Sequence, residues 1–78
     1  MKILFTKHAE EMLKFRNIEK SLVNGCINKP NQISAAREGK KIYLKDFGIN
    51  YLKTVIFMEE NSIIVITAHW LAKKRVKE

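Results

Sequence analysis

One cysteine, one proline, three glycines and two histidines are all that these 78 residues hold of the types that most often announce a fold or a reaction. A lone Cys26 excludes an internal disulfide and supplies no cysteine pair for a metal, which fits a protein of the reducing cytoplasm. The opening apolar run Ile3-Leu4-Phe5 is cut off by Thr6, Lys7 and His8, too early for a signal peptide or a membrane span, so a soluble intracellular protein without a membrane partner is expected. No glycine-rich loop is present to cradle a nucleotide, and Ser21, Ser34 and Ser62 sit in no nucleophile motif. His8 and His69 stand near opposite ends with Cys26 far from both, which is not metal-ligand spacing, so neither a metal nor a cofactor is expected. There is also no repeat, linker or low-complexity stretch, and residues 1–78 read as a single domain.

What is present is an excess of positive charge. Fifteen Lys and Arg against eight Asp and Glu give a net charge of +7, which biases a small protein toward anionic partners, nucleic acid first among them. Lysines that merely solvate the surface are the plainer alternative. The basic residues cluster at Lys73, Lys74, Arg75 and Lys77, and again at Arg37, Lys40, Lys41 and Lys45, whereas acids gather at Glu10, Glu11, Glu59 and Glu60. A hydrophobic content of 46% is that of an ordinary globule rather than a disordered chain. A domain of this size buries only about 60% of its unfolded surface, so a homodimer or a bound partner would help to stabilise it.

The pattern along the chain divides at Pro30. Lys2 to Phe5 reads as a short strand, and Thr6 as the N-cap of a helix reaching Arg16. At about 100° per residue, His8, Ala9, Met12, Leu13, Phe15 and Arg16 share one broad arc, with Lys7, Glu10, Glu11 and Lys14 opposite, so a histidine and an arginine are expected to face inward. Asn17 breaks this helix and can cap the next, in which Ile18, Leu22, Val23 and Cys26 recur at helical spacing until Asn28-Lys29-Pro30 ends it. Those neighbours make Cys26 a core residue rather than a nucleophile.

After Pro30 the period changes to that of strands. Asn31 to Arg37 and Lys40 to Phe47 form a predicted hairpin about Glu38-Gly39, with Gly39 taking the positive φ of a tight turn. Asp46-Phe47-Gly48 turns the chain into Ile49 to Met58, and Glu59-Glu60-Asn61 joins that segment to Ser62 to Trp70. Both of these runs are apolar on two faces and should be central strands; a short basic tail could add a helical turn. The order β-α-α-β-β-β-β predicts an α+β domain, a mainly antiparallel sheet with two helices on one face and the other face partly open.

Phe5-Thr6-Lys7-His8-Ala9 followed by Arg16 and Ile18, together with the closing Val65-Ile66-Thr67-Ala68-His69-Trp70, resembles the RelE/ParE-type toxin superfamily. Within it the nearest likeness is to a small uncharacterised family that carries a Thr-x-His-Ala motif and a downstream arginine. A related branch, the BrnT-type toxins, ends its last strand in Ile-Ser-Ala-Arg before a basic helix; here Ile66-Thr67-Ala68 matches and His69 replaces the arginine. The resemblance implies an architecture, a toxin-like action on RNA or the ribosome, and an antitoxin partner. It implies a reaction less firmly, since some superfamily members cut nothing.

Metal-independent RNA cleavage needs a base for the 2′-hydroxyl proton, an acid for the leaving 5′-oxygen, and cations for the charge that develops at phosphorus. His69 and His8 are the acid/base candidates and Arg16 the orienting or charge-stabilising one, with Arg37, Lys41, Lys73, Lys74 and Arg75 as phosphate binders and Tyr43 as a base-stacking ring. Tyr51 and Trp70 are further aromatic candidates. Each has a plainer role open to it: His8 bonded to a backbone carbonyl, His69 idle at a strand end, Arg16 fixing the angle between the helices, Trp70 anchoring a core. A non-catalytic module that binds nucleic acid or protein through its open sheet face is the alternative function.

Overall fold

The structure is a computed structural model that describes residues 2–72. Its elements run β1 (Lys2–Phe5), α1 (Lys7–Arg16), α2 (Lys20–Asn28), β2 (Gln32–Ala35), a 3₁₀ turn (Arg37–Gly39), β3 (Lys40–Asp46), β4 (Asn50–Glu59) and β5 (Ser62–Ala72). The predicted α+β order is therefore present. The sheet order is β1-β5-β4-β3-β2, with β1 parallel to β5 and every other pair antiparallel. Two helices carry the chain from one edge of the sheet to the other, and the meander then returns until β5 lies beside β1. The two strands that read as apolar on both faces are interior ones.

Local chemistry fixes the helix ends. The Thr6 hydroxyl accepts from the Ala9 N–H at 2.9 Å, satisfying a donor that the first turn leaves unpaired. Asn17 closes α1 in the left-handed region (φ 57°), and its N–H donates to the Leu13 and Lys14 carbonyls. The expectation that Asn17 also caps α2 is corrected: Glu19 holds that position and makes no side-chain cap bond. The hairpin after α2 is also looser than predicted. Glu38 joins Gly39 at positive φ inside the 3₁₀ turn, so β2 stops at Ala35.

Both helices pack on one face, α1 against β5 and β1, α2 against β4 and β3. Strand alternation puts Ile3 and Phe5, Ile63, Val65 and Ala68, Leu52, Thr54 and Ile56, and Tyr43 on that face, where they meet Ala9, Leu13, Ile18, Val23, Cys26 and Ile27. At the centre the Cys26 thiol donates to the Tyr43 and Leu52 carbonyls, both at 3.5 Å, which bears out its core role. The stripe that α1 buries is narrower than its sequence suggests. Phe15 is 82% exposed, and His8 is exposed rather than facing inward. Among the described residues no helix covers the opposite sheet face; its Leu4, Phe57 and Leu71 are exposed. No described helix is long and apolar enough to cross a membrane. The predicted basic tail lies outside the described residues.

Candidate functional site

The site arises where β1 stops and β5 does not. β1 pairs with β5 only as far as Phe5 opposite Val65, where the Thr6 N–H donates to the Val65 carbonyl at 3.2 Å and the chain turns away into α1. From there to Ala72, β5 is paired on one side only, with β4. The pairing also slips at this point: Ile56 faces Val65 but Val55 faces Thr67, leaving Ile66 as an extra, bulged residue. Because side chains and carbonyls alternate along a strand, one extra residue inverts the phase of everything after it. Ala68 therefore points inward, as Val65 does, and its carbonyl faces the open edge instead of β4.

Arg16, at the last turn of α1, fills that edge. Its guanidinium donates to the Ala68 carbonyl at 2.9 Å and lies 3.4 Å from the Thr67 hydroxyl. Thr67 pairs with Val55 on the face away from the helices, so the arginine leaves the helix layer and rounds the strand edge to reach the open face. One nitrogen makes both contacts, and the remaining donors of the fork bond no other group among the described residues. The plainer expectation for Arg16 is partly met: it does bind a carbonyl, but it ties α1 to β5 rather than one helix to the other.

The next residue on that face is His69, half-buried and directly opposite Lys53. Burial first, then Lys53, then Arg16 hold its imidazole below the usual histidine range. At neutral pH it is thus an uncharged ring, able to accept a proton, with Lys53 across the strand pair and Arg16 bound to the neighbouring Ala68 carbonyl. Arg16, Lys53, Thr67 and His69 together make a cationic, hydroxyl-bearing surface suited to an oxyanion.

The other described candidates from the sequence do not converge here. His8 lies eight residues before Arg16 on α1, about 12 Å of axial rise away, and is not among the groups that act on His69. Lys41 and Tyr43 pair with Ile56 and Thr54, which puts them on the helix side of the sheet. Tyr43 is only 9% exposed, packed in the core, so its expected use as a base-stacking ring is corrected. Arg37 sits in the 3₁₀ turn before Lys40, which pairs with Phe57 far along β4 from Lys53. Lys73, Lys74 and Arg75 lie outside the described residues. Trp70 meets Phe47 edge-on at 6.0 Å and packs against the core, the anchoring role rather than the stacking one. Lys53 belongs to no motif, and Thr67 lies in the closing run without a role assigned to it there; only the register sets them on one face with His69. No protein-family model, curated protein or solved structure matches the chain.

Proposed function

We propose that this protein is a RelE/ParE-like, toxin-like protein that acts on RNA, receiving a phosphodiester at Arg16, Lys53, Thr67 and His69. The observation that carries the proposal is the placement of His69 opposite Lys53 and next to Ala68, whose carbonyl holds the Arg16 guanidinium; burial and these two cations hold the imidazole below the usual histidine range. In a metal-independent endoribonuclease of this design His69 takes the 2′-hydroxyl proton as the 2′-oxygen attacks phosphorus. The bond from phosphorus to the 5′-oxygen breaks, leaving a 2′,3′-cyclic phosphate and a 5′-hydroxyl that takes its proton from water. Arg16 and Lys53 stabilise the added charge on the non-bridging oxygens. The cytoplasm, RNA free or held on the ribosome, and an antitoxin that silences the protein belong to the same proposal.

A non-catalytic nucleic-acid-binding module is the second reading, favoured by the placement of His8 away from His69, which leaves one histidine at the site. A defined mRNA incubated with the protein and a chelator separates the two. Cleavage that is lost in His69→Ala and kept in Lys14→Ala supports the enzyme. Intact RNA whose binding weakens steeply with salt supports the module, and an mRNA neither bound nor cut refutes both.

A further inference from the structure

Two positive charges, Lys53 and Arg16, act on the partly exposed His69. On β4 Lys53 stands directly across the strand pair and Tyr51 on the diagonal; from α1 Arg16 binds the carbonyl of the preceding residue, Ala68, and acts on the ring through space; β1 ends at the level of Val65. One strand further away on the same face, Asp46 stands opposite Tyr51, and its carboxylate accepts from the Gly48 N–H at 2.8 Å within its own turn. α2 packs on the other side of the sheet. As the site stands, a third positive charge at His69 would be repelled by the first two.

An oxyanion would reverse that balance. Seated against the open donors of Arg16 and the ammonium of Lys53, it would neutralise the repulsion and offer an acceptor to a ring N–H, making imidazolium the favoured form. We propose that the site takes up an oxyanion and a proton together, His69 becoming charged when a phosphate-like group binds between Arg16 and Lys53. This rests on the reading of the same residues as a phosphate receiver and adds a regulatory property: by linkage, whatever the anion does to the proton the proton does to the anion, so affinity rises as pH falls. For RNA the consequence is directional. Binding strengthens in mild acid while the fraction of His69 free to act as a base declines, so the pH optimum of cleavage lies above that of binding.

The two histidines make the test internally controlled, because His8 is exposed on α1 and remote from the cluster. The full chain is titrated by NMR of both imidazoles in sodium sulfate, a phosphate-shaped dianion whose own charge is constant from pH 5 to 8, against sodium chloride of equal ionic strength. The expected result is a His69 midpoint raised by about half to one pH unit in sulfate, with His8 moving less. Binding of a non-cleavable oligodeoxynucleotide should tighten about three- to tenfold between pH 8 and pH 5.5, and His69→Gln should flatten that dependence. Lys53→Gln, a change on the sheet surface, should raise the His69 midpoint in chloride and remove most of the sulfate response. Equal movement of both histidines, or a full sulfate response in Lys53→Gln, overturns the proposal. If RNA binds or is cut while His69 ignores sulfate, only the proton linkage fails; if sulfate moves His69 while RNA is neither bound nor cut, only the RNA reading fails.

Discussion

Replacing Arg16 by methionine tests the reading of the strand edge most directly, because methionine keeps much of the aliphatic stem and removes only the guanidinium. The change abolishes the donation to the Ala68 carbonyl at 2.9 Å; at 3.4 Å the Thr67 hydroxyl adds little. Arg16 is exposed, so water can replace the donor at the carbonyl, and the net loss should lie near the ordinary value for a hydrogen bond, about 1 kcal/mol. For a domain of this length that lowers Tm by about 4–8 °C. Arg16→Lys keeps a charged donor without the planar fork and should recover part of the loss. The second readout is His69: its midpoint should rise in Arg16→Met, and rise further in Lys53→Met, because Lys53 presses on the imidazole more strongly. Thermal melts by circular dichroism and an imidazole NMR titration measure both effects. A methionine variant that melts within 1 °C of the parent (about a quarter of the smallest expected shift), or a His69 midpoint that does not respond to either substitution, would show that Arg16 does not hold the edge in this way.

Three further outcomes are expected. Thr6→Ala removes the acceptor for the Ala9 N–H and should cost about 1 kcal/mol, with Thr6→Ser close to the parent in chemical denaturation. Acid stability should depend on His69: its midpoint is depressed in the folded state, so the unfolded chain binds the proton first, near pH 6.5, and stability present above that pH is lost as pH falls through the folded midpoint. His69→Gln should therefore lose less Tm than the parent between pH 7 and pH 5; equal losses would rule this out. Burial raises the Cys26 thiol, opposed by the neighbouring Thr54 hydroxyl and Lys45, so alkylation at pH 8 should be negligible in the native protein and rapid in urea. Modification of native Cys26 at the rate of a free thiol would contradict its place in the core.

How far the chain could be read in advance followed from the strength of each local signal. Thr6 as a cap, Pro30 after α2, and the apolar runs of β4 and β5 all act through short-range sterics or bulk hydrophobicity, and each produced the element expected. Orientation around α1 was less legible. A helix laid on the end of a sheet buries only Ala9 and Leu13 fully, with Met12 partly covered, so a broad arc counted from the sequence swept in Phe15 and His8. Tyr43 failed as a surface ring for the converse reason: β3 is covered by α2, and its inward position is filled by the largest side chain available there. The strand pairing of the site was not legible at all. Counting back from the turn at Glu60 and Asn61 in unbroken register would place His69 opposite Leu52, facing the helices, and Lys53 opposite Ala68.

The bulge thus decides whether the cationic cluster forms. Ile66 is neither a glycine nor a break in hydrophobicity, and in the run Ile63-Ile64-Val65-Ile66 every residue suits either face, so no alternation is disturbed by the extra one. Its effects appear only downstream. With the phase inverted, Ala68 is small enough to pack under α1, its carbonyl meets Arg16, Trp70 reaches Phe47 in the core, and His69 is delivered to the face where Lys53 already stands. Without inversion the indole and the imidazole would exchange faces, leaving a polar ring against apolar side chains and a large apolar one exposed, both unfavourable. The brevity of β1 is the other half of the arrangement: one more pair of residues alongside Thr67 and Ala68 would occupy the edge that Arg16 now rounds. Core packing and the cationic cluster therefore share one cause, so the residues that stabilise this end of the sheet are the ones that set His69 beside Lys53 on the open face.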